Sequence, residues 1–247
     1  MAQAPVGIES KRRSAWRRAR RAPEMAISTL AFLLVVLLLA HRHVVPPLNE
    51  SSLHALAEDA AMMAAMMLPL AGPSARSVAQ RSLRSRWAQS VGEHVVGFSA
   101  VWFGYGIAAA VSVRLLSNVI DRLLLLSLLL ILAAAWQVSA DRRRRIERCG
   151  HLRTTPPTGW RADVGSTVVG GRQAVDCVTT CWASMLAMVA TTNPIVMGTV
   201  LAANLSEWAP GPNAMGSARR RRPAAVYLIL AAGALLLLVA RPALSDT

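Results

Sequence analysis

Two Met-Met pairs, Met62-Met63 and Met66-Met67, follow Glu58 and Asp59 inside the apolar segment 54–73. Thioether sulfur is a soft, neutral donor that selects Cu(I) and similar ions, although methionine also serves simply to fill irregular gaps between helices. On a helix at about 100° per residue, the four methionines cover an arc of about 140° that also takes in Asp59, with Glu58 at its edge. A charge facing hydrocarbon is costly, so ionisable groups in a membrane helix turn to the bundle interior. An inward Asp59 brings part of the methionine arc inward with it.

A second set of donors lies in "DCVTTCWASMLAM". Cys177 and Cys181 are one helical turn apart and share a face, which Ser184 and Met188 continue. A disulfide between them would constrain little, whereas two thiolates at that spacing can share a soft metal, as can a cysteine with a methionine. The bland reading is two small apolar core residues. A third set is Glu93 and His94 in "VGEHVVGFSAVWFGYG", followed by Gly97, Ala100, Gly104 and Ala108, a small-residue stripe suited to close helix association. Weaker candidates are the Cys149/His151 pair in "RCGHLR" and the His41/His43 pair in "AHRHVV", both compatible with ordinary surface placement.

The elements that must position these groups follow from the apolar blocks. The chain has 247 residues, 54% of them hydrophobic, and its apolar residues come in long runs separated by arginine-rich stretches. A spanning helix needs about 20 mostly apolar residues. The predicted helices are 24–41, 53–71, 91–112, 122–139, 173–191, 194–209 and 224–241, giving an all-α, polytopic transmembrane bundle of about seven helices. A basic cytoplasmic tail, residues 1–23, precedes this domain (24–241), and a short tail, 242–247, follows it. The first apolar run ends without a small-residue cleavage site and reads as an uncleaved signal anchor.

Arginine and lysine placement supports this count. Of the 27 cationic residues, 23 lie in the N-terminal tail and in the segments 72–90, 140–172 and 210–223. With the N-terminus inside, all of these face the cytoplasm, as the positive-inside rule expects. The formal charge of +14 is therefore a topological signal and not a nucleic-acid footprint. The prolines and glycines of 140–172 argue against continuous helix there, and Arg142 to Arg145 are expected against anionic headgroups. Three cysteines cannot close a disulfide framework.

The predicted spans also set depth. Met66 and Met67 fall roughly 8 Å inward of the midplane, and Cys177, His94 and Glu207 about 7–10 Å inward. Glu58 and Asp59 lie in the outer half. Thioether, thiol, imidazole and carboxylate candidates on four helices thus share one level. No Walker loop, GxSxG, HExxH or dinucleotide fingerprint is present, and the sequence assigns no catalytic residue.

The stretches "AMMAAMMLPLAGP" (61–73), "GFSAVW" (97–102), "AAAWQVS" (133–139), "RCGHLR" (148–153) and "CVTTCWASML" (177–186) resemble, in order and spacing, a bacterial family of predicted metal-binding integral membrane proteins. The resemblance spans about 55 to 190 and implies a polytopic membrane protein that binds metal. Where relatives carry a double cysteine before the tryptophan, this chain has Thr180 before Cys181, which leaves one thiol fewer.

The expectation is an inner-membrane protein that holds a soft or borderline metal, Cu(I) in particular, between helices, for metal handling or transport. Its ligands would be Met66, Met67, Cys177, Cys181 and His94, with Met62 and Met63 beside them. Glu93, Asp59 and Glu58 would orient ligands or take up protons released on binding. The expected partners are the bilayer, anionic headgroups at the arginine-rich loops, and a membrane or metal-delivery protein, with no nucleic acid. Two other readings use the same residues: a scaffold in which methionine and cysteine only pack, and a membrane redox enzyme with a bound metal.

Overall fold

The computed structural model describes residues 22–44, 53–83, 85–149, 160–191, 193–208 and 225–236, and all of the secondary structure among them is helical. The helices are α1 (Ala22–Val44), α2 (Leu53–Arg81), α3 (Trp87–Ser117), α4 (Arg122–Val138), α5 (Ala140–Cys149), α6 (Trp160–Ala190), α7 (Pro194–Trp208) and α8 (Ala225–Leu236). Three are long and apolar enough to cross a membrane: α2, α3 and the Val164–Ala190 part of α6. Helices α4 and α5 form a fourth candidate, a broken span bent by 66°. The apolar stretches Met25–Leu38, Ile195–Asn204 and Ala225–Leu236 are shorter. Against the seven spans expected, the described residues therefore hold three continuous candidates and one bent one.

Local signals set several helix starts. Asp121 caps α4, its Oδ1 accepting from the Leu123 and Leu124 amides at 2.8 and 3.4 Å. Asn193 caps α7 in the same way through Ile195 and Val196, and Pro194 occupies the first helical position, where a missing N–H costs nothing. At the α4–α5 bend, the Ser139 hydroxyl accepts from the Arg142 amide at 3.2 Å.

Two helices run further than the sequence suggests. Helix α2 continues through Pro69 and Pro73 to Arg81, ten residues beyond the expected end. Helix α6 begins at Trp160, so the segment 160–172, expected as irregular, is helical, as is 140–149. The physical reason lies in packing. Proline and glycine weaken an isolated helix, but neighbouring helices restore what they remove, and glycine lets backbones approach.

Helix α3 is the centre of the bundle, packed between α2 and α6. It runs antiparallel to α2: Ser74 meets His94, Ala60 meets Gly106, and Asp59 meets Arg114. It runs parallel to α6: the two cross closely where Gly97 meets Thr167 and Gly170 meets His94, and further toward both C-termini Tyr105 reaches Trp182. At the α3–α6 crossing a Cβ on Gly97 would strike the Thr167 carbonyl, and one on Gly170 the His94 carbonyl. On the α2 side a Cβ on Gly106 would come within 2.6 Å of Ala60 Cα. Of the expected stripe only Gly97 makes a close helix contact, on α6, while Gly104 has open space and Ala100 and Ala108 are exposed. The close approach to α2 falls at Gly106, outside that stripe.

Helix α1 covers the other side of α2, where Ile27 and Ala31 form a small cluster with Leu68, Ala75, Ala79 and Val91. Its remaining large side chains, including Leu30, Phe32, Leu33 and Leu37, are exposed. A row of bare apolar side chains on a helix of this composition suits contact with lipid.

Candidate metal centre

The four methionines of α2 are all buried, as are Cys177, Cys181 and Met188 of α6, and all seven belong to one continuous core cluster. The pairings across α3 set their levels. Extending the Ser74–His94 and Ala60–Gly106 register places Met67 opposite residues 100–101 of α3, and Met63 opposite 104. The α3–α6 contacts set Cys177 and Cys181 along the Val101–Tyr105 stretch of α3, to within about a turn. The methionine pairs of α2 and the two cysteines of α6 therefore lie along the same stretch of the bundle. Trp102, wholly buried, fills α3 at this height and meets Tyr105 edge-on at 5.8 Å.

His94 stands elsewhere. It is seven residues below Val101 on α3, about 10 Å at 1.5 Å per residue. Its Nε2 lies 2.9 Å from the Ser74 hydroxyl, which itself donates to the Ala71 carbonyl at 2.9 Å. Nδ1 makes no hydrogen bond of standard geometry, although the Gln173 side chain lies beside the ring. His94 is a separate nitrogen-bearing side chain, about two turns from Cys177 toward the N-terminal end of α3. Its neighbour Glu93 accepts from Gln89 at 2.9 Å, near the N-terminal end of α3.

The acids of the opening stretch mark the other end. Asp59 pairs with Arg114 at 3.2 Å and Glu58 with His54 at 3.2 Å, so neither joins the sulfur level. Cys149 closes α5, with its side chain outside the described residues, as are those of His41, His43 and Glu207 and the whole of His151.

The turn that bears the two thiols is held unusually firmly. Thr179, Thr180 and Ser184 donate their hydroxyls to the carbonyls of Asp176, Cys177 and Cys181 at 2.9, 2.8 and 2.8 Å. Tyr105 of α3 donates to the Trp182 carbonyl at 2.7 Å, and Trp136 of α4 to the Thr180 carbonyl at 2.9 Å. Trp136 also packs edge-on against Trp182 at 5.5 Å. Beyond Ser184 a buried polar chain continues: Asn204 of α7 donates to Ser184 at 3.2 Å and accepts from Tyr227 of α8 at 3.2 Å. Four helices thereby contact this part of α6, directly or through this chain. Sequence reading missed Tyr105, Trp136, Asn204 and Tyr227; isolated polar residues within apolar runs were the available signal.

Replacing Tyr105 with phenylalanine removes one such anchor with little change in volume. The expected loss is about 1 kcal/mol, the net contribution of a typical buried hydrogen bond, read as a lower midpoint of thermal unfolding in detergent. An unchanged midpoint would show that the carbonyl needs no second donor.

Chemically, the donor set is soft. Among the described residues no three His, Cys, Asp or Glu side chains gather as a metal site. A zinc-type centre with four nitrogen, oxygen or thiolate ligands is therefore not assembled there. Two thiols a turn apart, buried in one core with four thioethers, suit a monovalent soft ion that accepts few ligands. The class so defined is an all-helical protein with helices long and apolar enough to span a membrane and a core rich in soft sulfur donors.

Comparison with known families agrees with that donor chemistry. The chain belongs to the PpoB2 family, described as copper chaperone, whose model matches residues 57–235. That range takes in α3 to α7 and nearly all of α2 and α8. No curated protein and no solved structure matches the chain.

Proposed function

We propose that this protein is a membrane-embedded copper carrier that holds Cu(I) as cargo between α2, α3 and α6 and passes it to another protein. Cys177 and Cys181 bind as thiolates and Met67 and Met63 complete the coordination, with Met62 and Met66 lining the approach. The observation that carries this reading is the burial of the α2 methionines and the α6 cysteines in one core, along the same stretch of α3. Family membership supports copper as the cargo. His94, two turns inward, is a further donor on the cytoplasmic side, and Asp59 and Glu58 frame the outer end. The inner membrane is the expected location, with Arg143, Arg144 and Arg145, all exposed, placed to meet anionic headgroups.

The test is direct. The protein, purified in detergent under reducing, oxygen-free conditions, is titrated with Cu(I) against a colorimetric chelator. About one tightly held equivalent is expected, and Met67→Leu with Met63→Leu should weaken it by about tenfold while leaving the thiols in place. Binding that is absent, or that is indifferent to both leucines, removes the site.

A further inference from the structure

Helix α5 carries four consecutive arginines, and the structure treats one of them differently. Arg143, Arg144 and Arg145 are exposed, as is Asp141, while Arg142 is only 3% exposed. It lies just past the α4–α5 break, where a 66° bend turns α5 against α6. Its Nε donates to the Thr180 carbonyl at 3.1 Å, sharing that oxygen with Trp136. Thr180 sits between the two cysteines. Its hydroxyl donates to the Cys177 carbonyl at 2.8 Å and lies 3.6 Å from Cys181 Sγ. A guanidinium is thereby fixed to the very turn that bears both thiols.

An arginine buried within a candidate span is costly and marks a functional position. The proposed cargo brings an anionic centre to the same turn. Cu(I) carries one positive charge and two thiolates carry two negative ones, so the bound centre has a net charge of about −1, which neutral thioethers do not alter. Asp176, half-buried and adjacent to Cys177, adds negative charge to the same stretch. A net charge in a low-dielectric interior is unfavourable unless an opposite charge stands close by.

We infer that Arg142 is the built-in counter-charge of the bis-thiolate copper centre, a positioning residue that acts on affinity without touching the metal. This rests on the copper-site reading above. It assigns the α4–α5 break a purpose: the bend brings one arginine of a solvent-facing run back to the middle of α6. It also separates the roles of the run, with Arg142 serving the cargo and its three neighbours the membrane surface.

The test is a double-mutant cycle on Cu(I) affinity, measured by chelator competition, with thermal unfolding of each metal-free variant alongside. Arg142→Gln should weaken Cu(I) binding about tenfold or more, the scale of one close charge pair, and Arg142→Lys should restore most of it. In a Cys177→Met background, where the centre becomes neutral but keeps a soft donor, Arg142→Gln should change affinity by less than about twofold. Equal losses in both backgrounds, or no recovery with lysine, would mean that Arg142 only braces the helices and would overturn the inference. An unchanged affinity in Arg142→Gln would do the same. Failure of the unaltered protein to bind Cu(I) at all overturns the copper site itself, a distinct result from the others.

Discussion

Replacing Cys177 and Cys181 together with serine is expected to weaken Cu(I) binding by more than about a hundredfold, since changes outside the coordination shell alone commonly cost about 10- to 100-fold. Thiolate is the only anionic soft donor the core offers, and a serine hydroxyl neither ionises nor binds Cu(I) well. The fold should survive the change. Thr179, Thr180 and Ser184 on the same turn already return their hydroxyls to helix carbonyls, and serine at 177 and 181 can do likewise. Loss of binding can then be separated from loss of structure by comparing helicity and unfolding midpoints without metal. If the double variant retained the parent's affinity, the thiols would have to be reassigned to packing and a site sought among other donors. Each single replacement leaves one thiolate and the methionines of α2, so each should retain weaker but measurable binding.

The largest effect on stability is expected at the α3–α6 crossing. Gly170→Ala places a methyl group against the His94 carbonyl, and Gly97→Ala places one against the Thr167 carbonyl. Both obstacles are backbone, which cannot swing aside as a side-chain tip would. The helices must separate, at a cost of about 3 kcal/mol or more, the upper range for overpacking. Separation would also strain the Ser74–His94 hydrogen bond and shift the Tyr105–Trp182 anchor, so copper affinity should fall with stability. Gly104→Ala and Gly198→Ala are the controls, because a methyl group at either position meets open space. They should be neutral, or stabilising by up to about 1 kcal/mol through higher helix propensity. Thermal or chemical unfolding in detergent distinguishes the two pairs, and equal behaviour of all four would contradict the close crossing.

Much of the site's chemistry was legible from residue type. The shared burial of Cys177 and Cys181 follows from their four-residue spacing on α6, whereas that of Met62, Met63, Met66 and Met67 was legible only in part, because residues 62–68 of α2 are buried on every side and not along one arc. The separation of Glu58 and Asp59 from the methionines was legible, since depth along one helix is a matter of counting residues. His94 shows where counting fails. Sequence-based depth put it level with Cys177, whereas the α3–α6 register sets it about 10 Å lower. The true starts of α3 and α6 lie outside the apolar windows from which depth was counted.

By itself, the sequence determined that this protein is helical, rich in apolar runs of membrane-spanning composition, and supplied with soft donors in two clusters. Those properties live in composition and in short-range periodicity, which need no knowledge of neighbours. Tertiary structure alone decided which helices meet, that α6 lies parallel to α3, and that Gly97 and Gly170 set the crossing between them. It also decided that one arginine of four is folded inward at the α4–α5 break. Each of these depends on contacts between residues far apart in the chain, where several arrangements bury similar apolar area. Close backbone approach and the pairing of buried polar groups select among them.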